Sequence, residues 1–156
     1  MKFRVSTSRW FMLLAASALG VMSSTAHADF RQTSADATVA FEGPSAKATK
    51  QYLYSRGTPV EVVVQIEGWL KVRDAQGALA WVEKKALVDR TNVQVKTPVA
   101  DALAAPDAAS AILFRAESGV LLTLVTPQPQ NTGAWAQVRH RDGQVGFVRV
   151  DALFGL

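Results

Sequence analysis

Residues 69–87 read WLKVRDAQGALAWVEKKAL, and residues 135–153 read WAQVRHRDGQVGFVRVDAL. Trp69, Gly77, Trp81 and Leu87 return as Trp135, Gly143, Phe147 and Leu153, each displaced by 66 residues. Self-similarity at a fixed offset marks a duplicated structural unit, so the chain reads as two copies of one small module rather than one larger enzyme-like domain. Within each copy apolar and polar residues alternate, the period of a strand with one buried face. Trp69 to Arg73 and Leu79 to Glu83 read as strands joined by a turn over Asp74 to Gly77. In the second copy Trp135 to Arg139 and Val145 to Val150 flank a turn over His140 to Gly143. Gly77 and Gly143 stand where a reversing strand pair needs a residue tolerant of positive φ, a structural turn role.

Working outward, Val60, Val62, Val64 and Ile66 share one parity, and Glu61, Val63, Gln65 and Glu67 the other, which predicts a half-buried strand ending in a Glu67-Gly68 turn. Before it, VAFEGPS from Val39 reads as a short strand entering a Gly43-Pro44 turn. Ala46 to Tyr54 fits either an irregular loop leading into a strand or a helical turn. The second copy repeats the order through Pro106, Ile112 to Phe114, Gly119 and Val120 to Val125. Val60 precedes Trp69 by nine residues and Val120 precedes Trp135 by fifteen, so the copies differ most in the loop TPQPQNTGAW. The expected organisation is a loose leader over 29–37, a first domain over 38–89, an extended connector over 90–98 whose RTNVQVKTP alternation suits association with a sheet, and a second domain over 99–156.

The amino terminus reads as a cleavable secretory signal over 1–28. Lys2, Arg4 and Arg9 precede an apolar run from Trp10 to Met22, and Ala26-His27-Ala28 places the cut before Asp29. A run this short falls below the roughly 20 residues of a membrane span. The expected location is therefore periplasmic or secreted, with no membrane insertion after cleavage. Removing the signal takes three of the 17 basic residues and none of the 13 acidic ones, leaving a net charge of +1. So small a charge does not support long-range attraction to nucleic acid. The absence of cysteine excludes disulfides, so stability must come from apolar packing.

Strand parity places Leu70 and Val72 on the core face and Trp69, Lys71 and Arg73 on the other. Ala136 and Val138 face in, while Trp135 shares parity with Gln137 and Arg139. Each indole can close the end of its own core, bury against the sister module, stack on a ligand or seat a partner. Trp81 and Phe147 are expected in the core. Lys71, Arg73, Lys84, Lys85, Arg139, His140, Arg141 and Arg149 give both modules mainly cationic surroundings near aromatics, suited to carboxylates or a protein surface. The ligand or interface candidates are Trp69, Lys71, Arg73, Trp135, Arg139 and Arg141.

Catalytic chemistry has little to work with. The histidines are His27, which leaves with the signal, and His140 in a turn. No metal site, cofactor or cysteine nucleophile is expected. Glu61 and Glu67 share a strand side but lie roughly 20 Å apart at full extension. A cross-strand pair of Glu61 with Glu83 stays open. The chain is expected not to be an enzyme.

GPS at Gly43, then PVEVVVQIEGWLKVRDAQGALAWVEKKAL from Pro59, resembles a bacterial SH3-like domain. Gly68, Trp69, Lys71 and Val72 match its Gly-Trp with a basic residue and Val behind. Ala80-Trp81-Val82 and Gly146-Phe147-Val148 match its Gly-Trp-Val close. The second copy diverges at Ala134-Trp135. The whole arrangement, including DALFGL at the end, is similar to exported proteobacterial proteins with tandem SH3-like domains. The resemblance implies an all-β chain of two small SH3-like barrels. It also implies a binding module for peptidoglycan or another envelope component, or an adaptor for an envelope protein.

Overall fold

Two hairpins decide the architecture, one in each copy of the repeat, and the strands around them build two sheets of the same order. The computed structural model describes residues 28–126 and 133–156. The signal assigned to 1–28 lies almost wholly outside them, as does part of the long loop before Trp135. The first sheet comprises β1 (Asp29–Thr33), β2 (Thr38–Phe41), β3 (Lys50–Tyr54), β4 (Pro59–Ile66), β5 (Trp69–Arg73), β6 (Leu79–Glu83) and β7 (Leu87–Asp89). The second comprises β8 (Asn92–Val95), β9 (Val99–Leu103), β10 (Ile112–Glu117), β11 (Leu121–Leu124), β12 (Trp135–Arg139), β13 (Val145–Arg149) and β14 (Leu153–Phe154). A single 3-10 turn precedes the last strand of each, Lys84–Ala86 and Val150–Ala152.

The sheet orders are β3-β2-β6-β5-β4-β1-β7 and β10-β9-β13-β12-β11-β8-β14, so the duplication extends through every strand. Ala40, Tyr54, Val60, Leu70, Val72, Ala80 and Val82 come from five strands of the first sheet and form one core. Each sheet therefore curls around its own apolar interior, an SH3-like arrangement. The second core is built likewise around Val93, Leu122, Val138 and Val148.

The domain edges differ from the expectation. Asp29–Thr33 is no loose leader: β1 pairs with both β4 and β7. The expected connector contains β8, which pairs with β11 and β14 as the equivalent of β1. β1 is rich in polar residues, which hid it from a hydrophobicity reading, whereas the alternation in β8 already suited a sheet-associated connector. Ala46–Tyr54 resolves as a loop entering β3, without a helical turn.

The modules dock directly. Gln32 Oε1 accepts the backbone N–H groups of Thr91 (2.9 Å) and Asn92 (3.0 Å) and the Thr91 hydroxyl (3.2 Å). Asn92 Nδ2 donates to the Gly57 carbonyl at 3.2 Å. Phe30 and Phe154 meet edge to face with centroids 5.2 Å apart, the favoured aromatic geometry. Gly155, at φ +100°, packs so closely on Pro59 that a Cβ there would lie 2.9 Å from the proline Cβ.

Candidate functional site

The parity reading of the central hairpins holds. Leu70, Val72, Ala136 and Val138 are buried, while Trp69, Lys71, Trp135 and Gln137 are half-buried on the opposite face. Trp81 and Phe147 do not join the cores. Ala80, Val82, Gly146 and Val148 face inward, and strand alternation puts both rings on the other face, each half-buried. Trp81 lies opposite Lys71 on β5 and Phe41 on β2. Both aromatic residues of each hairpin thus stand on the face away from the core.

A bulge reshapes the neighbouring strand. Val62 lies opposite Val72, but Val64 lies opposite Lys71 and Ile66 opposite Trp69. The extra residue at Val63 reverses the alternation, so Val64 and Ile66 leave the core side on which Val60 lies. Val63, Val64, Ile66 and Leu79 are all exposed.

The second module differs at two points. Thr123 lies opposite Arg139 as Glu61 lies opposite Arg73, so Leu122, not Val120, is the counterpart of Val60. The loop before Trp135 is then longer by four residues rather than six. The second difference is at the position facing the outer aromatic of the hairpin, where Phe41 faces Trp81 and Leu103 faces Phe147. Phe41 packs edge-on against Trp69 with centroids 5.5 Å apart. Leu103, a smaller side chain, instead lines an open cleft of about 380 Å³ beside Trp135.

That cleft has an apolar lining of Val99, Leu103, Ile112, Trp135 and Ala152. Its polar side chains are engaged within the protein. The Thr97 hydroxyl donates to the Val99 carbonyl at 3.1 Å, and Ser110 Oγ accepts the Ala105 N–H at 3.0 Å. Asp101 pairs with Arg115 at 2.9 Å. Arg149 grips Asp151 through Nε and Nη2, at 2.8 Å for the shortest contact, and its Cζ stands 5.8 Å from the Trp135 ring centroid. This is cation–π range. The hydrogen bonds from Arg149 hold the Asp151 carboxyl below the usual carboxylate range. The cleft therefore offers a ligand a flat aromatic wall and small apolar contacts, with ordered polar groups at the rim.

The remaining sequence candidates fall apart spatially. Arg73 closes the far end of β5 in a 2.9 Å pair with Glu61, and Lys71 sits between Val64 and Trp81. Arg139 lies at the end of β12 remote from Trp135, and Arg141 is exposed in the turn. Neither arginine pairs with a carboxylate among the described residues. Glu61 and Glu83 face opposite ends of β5 and do not form a carboxylate pair. His140 contacts Asp142 at 3.0 Å and Phe114 at 5.6 Å between ring centroids, in the turn closed by Gly143. Gly77 and Gly143 adopt φ of +85° and +96°, as their turns require. Leu103, Ile112 and Asp101 carried no chemical signal in the sequence. The alignment of Phe41 with Leu103 would have singled out one of them.

A family model described as a bacterial SH3 domain matches residues 34–89 and 96–155. Among curated proteins nothing matches the chain. Similar solved structures include NlpC2 from Trichomonas vaginalis, 16% identical over 84% of this chain and 49% of that chain, with a TM-score of 0.38. Another is an NlpC/P60 family protein from Bacillus cereus ATCC 10987, 15% identical over 80% and 55%, with a TM-score of 0.37. The chain spans about half the length of these structures.

Proposed function

Because the chain belongs to the bacterial SH3 domain family, we propose that it is a non-catalytic binding module of the cell envelope, periplasmic or secreted, whose ligand is peptidoglycan. The observation that carries this reading is the open cleft beside Trp135. A half-buried aromatic wall over small apolar residues suits an extended peptide with small side chains, or the apolar face of a sugar ring. The secretory leader read in the sequence directs the chain to the compartment that holds this polymer. Near-neutral charge after the leader disfavours nucleic acid as a partner. Among the described residues no helix is long and apolar enough to cross a membrane.

The test is co-sedimentation with purified peptidoglycan. The folded wild type is expected in the pellet, and Trp135→Ala and Leu103→Phe in the supernatant with unchanged circular dichroism. A wild type that stays in solution would remove peptidoglycan from the reading. A second reading rests on the bulge: Val63, Val64 and Ile66 on β4 and Leu79 on β6 are exposed on either side of Lys71 and Arg73. In this adaptor reading an envelope protein covers that face and no small ligand exists. Ile66→Ser would then abolish partner capture while leaving peptidoglycan binding untouched.

A further inference from the structure

The two hairpins carry the same tryptophan but opposite charges around it. Glu83 stands across from Trp69, and Arg149 occupies the same place across from Trp135. Two positions later the exchange is reversed, with Lys85 in the first copy and Asp151 in the second. Each copy closes its pair internally, Lys85 to Glu83 at 2.7 Å and Arg149 to Asp151 at 2.8 Å. The residue between them breaks the symmetry. It is Lys84 in the first copy and Val150 in the second.

Lys84 is exposed and forms no ion pair among the described residues. Its backbone N–H donates to the Gly68 carbonyl at 2.9 Å, which fixes it against the turn before Trp69. Gly68, Trp69, Glu83, Lys84 and Lys85 line a pocket of about 490 Å³. Glu67, one residue before this lining, is exposed. The pocket thus combines an aromatic wall with one cation that forms no ion pair among the described residues, whereas the sister module has Val150 at that place and its neighbouring cation, Arg149, is paired with Asp151.

We infer that the Trp69 pocket is a second binding site, distinct from the Trp135 cleft, and that it takes the carboxylate of a peptide. Lys84 supplies the opposing charge and Trp69 the apolar contact beside it. An ammonium is a point charge and accepts a carboxylate in any approach, so selectivity is for charge rather than for a bidentate geometry. At a surface site the gain is modest and falls with salt. The Trp135 cleft, with its polar groups internally engaged, does not discriminate charge.

The test uses N-acetyl-dialanine and its carboxamide, read by the indole N–H signals of Trp69 and Trp135, each assigned with a Trp→Phe variant. The carboxylate is expected to shift the Trp69 signal saturably and at least about fivefold more tightly than the amide, equivalent to about 1 kcal/mol. Lys84→Gln removes that preference and leaves the Trp135 response unchanged. Equal affinity of the two probes at Trp69 overturns the proposal, as does a preference that survives Lys84→Gln. A Trp69 response to glucuronate without one to the peptide overturns the peptide assignment. A response at Trp135 alone overturns this site and spares the cleft, whereas a response at Trp69 alone does the reverse.

Discussion

Gly155→Ala is expected to destabilise the protein well beyond Gly143→Ala, although the two glycines share nearly the same backbone conformation. Gly143 has φ +96° and open space where a Cβ would project. An alanine there bears only the cost of a left-handed conformation, about 1–2 kcal/mol. Gly155 has φ +100°, and its added Cβ would meet the Pro59 Cβ at 2.9 Å and Cγ at 3.4 Å. Pro59 is almost wholly buried in the first module, and its ring has no rotamer in which to retreat. The collision adds an overpacking term of about 1–3 kcal/mol. With a urea slope of about 2 kcal/mol per molar, the two variants should differ in midpoint by roughly 1 M. The assay is urea unfolding followed by tryptophan fluorescence and circular dichroism in parallel. Because the collision crosses from one module to the other, the excess exists only if the modules are docked. Equal midpoints for the two variants would refute the docking, as would two resolved transitions in the wild type.

Other consequences follow from single contacts. Tyr54 donates its hydroxyl to Asp74 at 3.2 Å inside the first core, and Asp74 also accepts the N–H groups of Gln76 and Ala78. Tyr54→Phe should cost about 1–2 kcal/mol in thermal or urea unfolding, since Asp74 keeps its backbone donors. Burial, and then the Asp74 charge, raises the Tyr54 pKa above its ordinary 10.0. A raised acid is protonated in the fold beyond the pH at which the unfolded chain ionises, so its contribution is complete below pH 10 and is lost as pH rises further. Tyr54→Phe should therefore flatten the alkaline limb of a stability–pH curve. At the acid end the Gln144 backbone N–H, and then His140, lowers the Asp142 carboxyl from 3.8. That contribution is present above pH 3.8 and disappears as pH falls, and Asp142→Asn should remove it from an acid titration of stability. Finally, Phe41→Leu should open a cleft beside Trp69 and increase its quenching by acrylamide. An unchanged quenching constant would show that Phe41 does not close that site.

The repeat was legible because Trp69, Gly77 and Leu87 and their counterparts hold fixed places in a hairpin whose turn length did not change. Parity then placed Leu70 and Val72 inward, since one face of each central strand is buried. It failed where the count itself changed. The bulge at Val63 inserts a residue without any marker in the run VEVVVQI, and every side chain after it turns over. Trp81 was expected in the core, whereas its strand alternation with Ala80 and Val82 sets it outside. β1 escaped notice because DFRQT carries little apolar pattern, its pairing being set by backbone contacts, whereas the alternation of NVQV in β8 pointed to a sheet-associated segment and places Val93 and Val95 in the second core. The cleft was invisible for another reason. It is lined by Leu103, smaller than the Phe41 at the matching place, a difference of volume that only the comparison of the two copies reveals.

The most direct test of the account is nuclear magnetic resonance mapping of a soluble peptidoglycan fragment titrated into the folded protein. The account predicts saturable shifts at the Trp135 indole and at the Leu103 and Ile112 methyl groups, and their loss in Leu103→Phe. Shifts confined to other surfaces, or none at saturating fragment, would contradict it.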